Sequence, residues 1–243
     1  MSLSHNQIHQ YSLINALMQG ICVEGLPASQ LPEKGDHGLG TLSGLNGEIV
    51  IIDGVCYHFT ASGGAHILGD QEIIAFIMIT RFQPVNIVQL PHLSFESLYK
   101  QISGLHEAAR NCFCAIKIEG HFTQIKYRVI PGQSRPGETL LELQERQLIQ
   151  TFSHQSGTLF GFMSPGYTAG LSVPGIHLHF LSKDRQHGGH VLDFETNSQP
   201  ATLSTAVIRK YNLEIPDTKE FGTKCVIVHD KVDLDRAEGM HHS

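Results

Sequence analysis

The stretch GIHLHFLSKDRQHGGHVLDFE, residues 175–195, decides the fold of the second half of this chain and contains closely spaced histidines. Side chains alternate between the two faces of a strand, so His177 and His179 point the same way. A reversal over residues 183–189 pairs His179 with His190, and directly opposed Cβ atoms lie roughly 5 Å apart. The stretch therefore predicts a β-hairpin that brings three imidazoles to one point.

Three convergent imidazoles are typical of a catalytic Zn²⁺ site, because neutral imidazole suits this ion and three protein ligands leave a coordination position open. His187 falls in the predicted turn before Gly188 and Gly189, so we place it outside the ligand set. Asp193 suits either an acceptor that orients a histidine or an ordinary strand end. The competing explanation is chance, since the chain has 16 histidines and one HxH motif is a weak signal.

Length and composition narrow the class of protein. With 243 residues, of which 41% are hydrophobic, the chain has enough apolar sequence for a buried core in one large or two small domains. Its formal net charge of -6 and its lack of a lysine- and arginine-rich run argue against nucleic-acid binding. Neither a secretory signal nor an apolar stretch of membrane-spanning length is present, and the five cysteines are scattered, so we expect a cytoplasmic protein.

Local patterns predict an α+β protein with mostly antiparallel or mixed sheets. We expect an amphipathic helix over residues 5–21 and a meander of short strands over residues 41–59, with turns at Asn46-Gly47 and Asp53-Gly54. Residues 73–82 form a near-continuous apolar run. Later patterns predict a helix over 95–109 capped by Ser94, strands over 113–119 and 122–130, a helix over 139–150, a strand over 157–163 and a short C-terminal helix.

A proline- and glycine-rich segment, PGQSRPG at residues 131–137, is typical of a surface connection because it cannot continue a strand. We therefore predict two α+β domains, residues 1–135 and residues 136–243. The second domain contains the predicted metal-binding hairpin.

Four blocks of sequence carry a resemblance over nearly the whole chain. They are GLGT and GLNGE at 38–48 with Asp53-Gly54, FCAIKIEG at 113–120 leading to Arg128, GTLFGF at 157–162, and VPGIHLHF at 173–180 with GGHVLDF at 188–194. Taken in this order, they resemble the acetolactate decarboxylase family. The resemblance implies a zinc-dependent, two-domain homodimer that converts 2-acetolactate to acetoin and CO₂ in acetoin and butanediol biosynthesis.

The same resemblance implies a role for each of eight residues. It assigns Zn²⁺ to His177, His179 and His190, catalysis to Glu48, Arg128 and Glu238, and substrate binding to Thr41, Leu45 and Arg128. Asp233 and Asp235 lie near Glu238 and are alternatives for the C-terminal carboxylate. Glu48 and Glu238 are both candidate proton donors, and we favour Glu48. Taken alone, Glu48 also suits a solvent-facing carboxylate beside a turn, and Arg128 an exposed strand cation.

Two other classes share part of the histidine pattern. The hairpin also resembles the plant and prokaryote conserved (PPC) domain, which predicts a non-catalytic, metal-binding oligomeric module. A cupin-like or carbonic-anhydrase-like enzyme shares HxH on a strand but needs a different spacing to its third ligand. The chain exceeds one PPC domain in length and contains Glu48 and Arg128 outside the hairpin, so the decarboxylase is favoured.

Overall fold

A computed structural model describes residues 4–229 and 231–237. The strands are β1 (Gln7–Tyr11), β2 (Leu26–Pro27), β3 (His37–Leu42), β4 (Asn46–Ile52), β5 (Val55–Phe59), β6 (Ala65–Ile67), β7 (Ile73–Thr80), β8 (Asn86–Leu90), β9 (Phe113–Val129), β10 (Leu148–Ser164), β11 (Gly175–Ser182), β12 (Gly188–Thr196), β13 (Ala201–Ile208) and β14 (Lys210–Glu214). The helices are α1 (Ile14–Met18), α2 (Leu31–Lys34), α3 (Phe95–Leu105), α4 (Leu140–Gln144), α5 (Lys219–Thr223) and α6 (Lys231–Ala237). The protein is thus mostly β, with less helix than the α+β prediction implied. Within the described ranges, no helix is both long enough and apolar enough to cross a membrane.

The first sheet has eight strands in the order β14-β1-β7-β3-β4-β5-β6, with β2 paired to β7. Its pairings are antiparallel except for β1 with β14, which run parallel. The strands β3, β4 and β5 form the meander that the sequence predicted between residues 41 and 59. This meander brings one end of β4 close to the second sheet, where it contacts β11 and β12.

The second sheet has six strands in the order β10-β11-β12-β9-β13-β8, and β10 also pairs with β9. That extra pairing closes β9, β10, β11 and β12 into a ring. β9 is 17 residues long, so its first half pairs with β13 while its second half pairs with β12. The ring holds the histidine strands rigidly, because each of them has a hydrogen-bonded neighbour on both sides.

Residue 135 does not divide the chain into one sheet before it and another sheet after it, because the second sheet contains strands from both sides of this position. β9 ends before this position and β10 begins after it, yet the two strands are paired along most of their length. Residues 132–137 do form a connection outside the strands, as expected. The division into domains 1–135 and 136–243 stays a prediction.

Two predicted helices are wrong in extent. Gln7–Tyr11 is the strand β1, because Ile8 and its neighbours pair with β7 and β14, and only Ile14–Met18 of the predicted 5–21 helix is helical. The helix predicted over 139–150 ends at Gln144, since the residues from Leu148 onward pair with β9. In both cases long-range strand pairing outweighs the local helical pattern.

Other local predictions are confirmed. Ser94 caps α3, and its hydroxyl accepts a hydrogen bond from the Ser97 N–H in a reciprocal capping box. The two separate strands predicted over 113–119 and 122–130 are instead one continuous strand, β9, because Gly120 stays in the ladder opposite Gly157. One large buried apolar cluster includes side chains from both sheets, such as Phe76 of the first sheet and Phe160 of the second.

Candidate metal centre and active site

The predicted hairpin is present, and its register is the expected one. β11 and β12 pair antiparallel with His179 directly opposite His190. The reversal falls at residues 183–187, so Gly188 and Gly189 lie inside β12 and not in the turn as predicted. Those glycines serve close packing: a Cβ on Gly189 would overlap the Arg128 carbonyl.

The register of three adjacent strands, β11, β12 and β9, aligns polar side chains in a row across the second sheet. His179 on β11 faces His190 on β12, and His190 in turn faces Arg128 on β9. His177 precedes His179 by two residues and therefore shares its face of β11. Strand register alone therefore places three imidazoles and a guanidinium next to one another on one face of the sheet.

The three histidines meet closely enough to share one ion. One ring nitrogen from each of His177, His179 and His190 lies within 4.8 Å of the others. His190 Nδ1 lies 3.1 Å from His177 Nε2. His179 Nδ1–H donates to the Ile49 carbonyl at 2.7 Å, which leaves the lone pair on Nε2 free to face the cluster.

Burial keeps the imidazoles of His177 and His179 neutral. Desolvation lowers the pKa of His177 well below its usual value, and the neighbouring His179 and Arg128 lower it further. Desolvation likewise lowers the pKa of His179 to about 3, against the opposing effect of the hydrogen bond to Ile49. Neutral rings carry the lone pairs that a metal ion needs, so the cluster is prepared for a cation at neutral pH.

The donor set fits a divalent metal ion. Nitrogens on a tetrahedral Zn²⁺ stand about 3.4 Å apart when each bond is about 2.1 Å, close to the separation of His190 Nδ1 and His177 Nε2. His179 has the tautomer that leaves a ligand nitrogen facing its neighbours. A histidine-rich group able to bind a metal is therefore present, and the donor chemistry leaves the choice of metal open.

Glu48 reaches this cluster from the first sheet. On β4 it shares a face with Val50, which belongs to the core between the sheets, while Ile49 points to the opposite face. The Glu48 carboxylate is only 4% exposed, and its Oε2 lies 3.5 Å from His179 Nε2. A carboxyl group thus lies directly beside the imidazole cluster, as the resemblance implied.

Arg128 on β9 adjoins His190 on β12 and is only 2% exposed. Its Nη1 donates to the carbonyl of Ala237, the last residue of α6, and to Gln147 Oε1 at 3.4 Å. The C-terminal helix therefore closes against the guanidinium. Glu238, the predicted C-terminal catalytic residue, follows Ala237 and lies outside the described residues.

Thr41 and Leu45 line the same cavity as the three histidines. Thr41 Oγ1 donates to the Gly47 carbonyl at 2.7 Å, which fixes the loop before Glu48. The walls combine the predicted residues with apolar ones that the sequence did not identify: Ile14, Leu17, Gly40, Thr41, Leu45, Glu48, Phe76, Arg128, Ile130, Leu140, His177, His179 and His190. The apolar wall comes from distant elements, and no local pattern marks it.

Two nearby residues stay outside the cluster. His187 packs its ring against Phe152 at 4.7 Å between centroids, as expected for a residue outside the ligand set. Asp193 accepts a hydrogen bond from the Phe194 N–H at 2.9 Å. The orienting acceptor of His179 is instead the backbone of Ile49, which a search for side-chain partners does not find.

Gly161 lets β10 approach the histidine strand, because a Cβ at this position would overlap the carbonyl oxygen and carbon of His177. We expect Gly161→Ala to lower the free energy of unfolding by about 1–3 kcal/mol, measured by urea denaturation, because the strands have to separate. Gly104→Ala is the control, since a Cβ there meets nothing within 4 Å in α3. An unchanged Gly161→Ala stability would contradict the close packing of β10 on β11.

Fold and site together define a class: a two-sheet β protein with a buried tri-histidine cluster, a carboxylate and a guanidinium in one cavity. Such a cavity suits acid–base chemistry on a small anionic substrate.

The sequence profile of the family "Alpha-acetolactate decarboxylase" matches residues 8–226. The chain belongs to this family of carboxy-lyases. It is 33% identical over 231 residues to the alpha-acetolactate decarboxylase of Methanosarcina mazei, with 95% of this chain and 80% of that protein covered. It is 35% identical over 217 residues to the alpha-acetolactate decarboxylase of Brevibacillus brevis, with 89% of this chain and 75% of that protein covered.

Solved structures agree with this membership. The crystal structure of alpha-acetolactate decarboxylase from Bacillus subtilis strain 168 superposes with a TM-score of 0.91 at 31% identity, covering 96% of this chain and 99% of that one. A Staphylococcus aureus protein described as similar to alpha-acetolactate decarboxylase gives a TM-score of 0.86 at 28% identity, covering 97% and 98%. Membership in an enzyme family over almost the whole chain favours the decarboxylase over the non-catalytic PPC-like module.

Proposed function

We propose that this protein decarboxylates 2-acetolactate to acetoin and CO₂, with Zn²⁺ held by His177, His179 and His190. The observation that carries the proposal is the convergence of three buried imidazoles, Glu48 and Arg128 in one cavity of a family member. When bound, the metal supplies Lewis acidity toward the adjacent ketone and hydroxyl oxygens of the substrate.

Arg128 binds and orients the substrate carboxylate. A guanidinium matches a carboxylate through two parallel N–H donors, and Arg128 is buried where water competes little. Its contacts to Ala237 and Gln147 hold the side chain in place. We infer that it sets the C–C bond to the carboxylate perpendicular to the plane of the ketone, so that the electron pair released with CO₂ delocalises into the carbonyl.

The carboxylic acid of Glu48 then donates a proton to the substrate carbon and is left as a carboxylate. Loss of CO₂ leaves an enediolate, and protonation of the carbon that carried the carboxylate gives acetoin. Glu48 approaches the cavity from one side, so its proton is delivered to one face of the planar intermediate. The apolar wall that includes Leu45 and Phe76 limits the access of water, which protects the intermediate from unspecific protonation.

The test is acetoin formation from racemic 2-acetolactate by the purified protein, before and after chelation and after Zn²⁺ is restored. We expect activity that chelation removes and Zn²⁺ restores. Stoichiometric zinc without acetoin would overturn the substrate assignment, and acetoin formation insensitive to chelation would overturn the metal assignment.

Arg128→Lys is expected to lower kcat/KM by roughly 10–100-fold, because a lysine keeps the charge but loses one of two hydrogen bonds to a charged group. Steady-state kinetics with acetolactate measure the effect. Arg209→Lys, at an exposed position, is the control and should leave kcat/KM unchanged. Equal kinetics for Arg128→Lys and the wild type would remove Arg128 from carboxylate binding.

We also propose that the enzyme is a cytoplasmic homodimer. The family resemblance supports the dimer. All five cysteines are free, which agrees with a reducing compartment. Sedimentation equilibrium at micromolar concentration distinguishes a dimer from a monomer.

A further inference from the structure

A second group of potential metal ligands lies on the first sheet, away from the cavity. It consists of His58 on β5, His66 on β6 and Glu72 immediately before β7, and one ligand atom from each lies within 4.8 Å of the others. His58 and His66 are directly opposed across the strands, the same cross-strand arrangement as His179 and His190. Their rings meet edge to face with centroids 4.9 Å apart.

This group occupies the opposite face of the sheet from the cavity. Phe59 packs in the core between the sheets, so its neighbour His58 on β5 points away from that core. His58 pairs with Ile49, which belongs to the apolar cluster of the outer face, while Glu48 pairs with Phe59. The two histidine groups are therefore separated by the thickness of the first sheet.

The histidine at position 58 has the hydrogen bonding of a metal ligand. Its side chain is buried, with 2% exposed, and its Nε2–H donates to the Asn46 carbonyl at 2.6 Å. That bond fixes the tautomer and leaves the lone pair on Nδ1. Within the described residues, this Nδ1 is buried and has no hydrogen-bond partner. A buried acceptor without a partner is costly, and a cation at this position removes the cost.

The other two ligands hold their positions at the solvent boundary. His66 Nε2 lies 3.3 Å from Glu72 Oε1. Glu72 Oε2 accepts the Gly69 N–H at 2.7 Å, which leaves Oε1 directed to the histidines. The His66 side chain is half exposed, so water can complete the coordination sphere. A surface ion pair alone would explain His66 and Glu72, but it leaves the buried Nδ1 of His58 unsatisfied.

We propose that His58, His66 and Glu72 form a second site for a divalent transition metal of the kind that imidazole prefers, Zn²⁺ foremost. Two imidazoles and one carboxylate are an established ligand set for Zn²⁺. The ion ties the short edge strand β6 to β5 and to the beginning of β7. Because β6 is three residues long and lies at the edge of the sheet, it gains the most from such a link.

Equilibrium dialysis against micromolar Zn²⁺, followed by elemental analysis, counts the ions per chain. We expect His66→Ala and Glu72→Gln each to bind one Zn²⁺ fewer than the wild type, with acetolactate turnover unchanged. His5→Ala, which removes an exposed histidine elsewhere, is the matched control and keeps the wild-type count. Equal zinc counts in the wild type and both variants would overturn the proposal.

A second measurement separates this site from the cavity. In His179→Ala protein we expect Zn²⁺ to raise Tm, because an ion bound only by the folded state stabilises it, and we expect the added His66→Ala change to abolish that rise. A Tm that Zn²⁺ leaves unchanged in His179→Ala protein would refute the second site. The zinc count and the Tm do not depend on decarboxylase activity. A protein without that activity would therefore still give a clear result for this site.

Discussion

Replacing His179 with alanine is expected to reduce acetoin formation by about a thousandfold or more and to remove the metal from the cavity. The imidazole is one of three buried donors, and its Nδ1–H bond to the Ile49 carbonyl aims Nε2 at the other two rings. Loss of Lewis-acid stabilisation worth several kcal/mol corresponds to about this factor in rate. Steady-state kinetics and elemental analysis on the same preparation measure both effects.

His187→Ala is the matched control for this experiment. It removes an imidazole from the same hairpin, but from a ring that packs on Phe152 outside the cluster. We expect it to retain the cavity metal and turnover within a few-fold of the wild type. Wild-type activity in His179→Ala, or an equal loss in His187→Ala, would contradict the assignment of the cluster.

The hairpin was predictable because its signal is local. Period-2 alternation sets the face of His177 and His179, and the short reversal brings β12 back beside β11, so the register to His190 follows. The same holds for the Ser94 cap, which depends on a bond to a residue three positions away. The features that sequence reasoning placed correctly from the residues alone depend on neighbours in the chain.

The errors have the opposite cause. β1 has a helical apolar rhythm, yet it pairs with β7 and with β14, which lies some 200 positions further along the chain. No local pattern contains that pairing. The orienting acceptor of His179 is similarly a backbone carbonyl 130 positions away, and any residue at position 49 would supply it. Because backbone contacts do not depend on the type of residue, they cannot be predicted from the sequence pattern.

Glu48 and Arg128 show an intermediate case. Their residue types are ordinary for a turn and a strand, and the family resemblance, not the pattern, singled them out. The structure explains why they adjoin the cluster: Arg128 follows from the register of β9 with β12, and Glu48 from the contact of β4 with β11 and β12. Packing of one sheet on the other decides the proximity of Glu48, and a sequence does not reveal such packing.

Glu48→Gln is expected to lower turnover by about 10²–10⁴-fold while the metal stays bound, because a glutamine preserves shape and hydrogen bonding but has no proton to donate as an acid. The matched control is Glu195→Gln, an exposed carboxylate on β12, which should leave both activity and metal content unchanged. Unchanged activity in Glu48→Gln would remove this residue from the mechanism. Loss of the metal together with activity would assign Glu48 to holding the ion and leave the proton donor to another group. Retained metal without turnover is the result expected of a proton donor. Glu48 lies close enough to the cluster for that role, since its Oε2 is 3.5 Å from His179 Nε2.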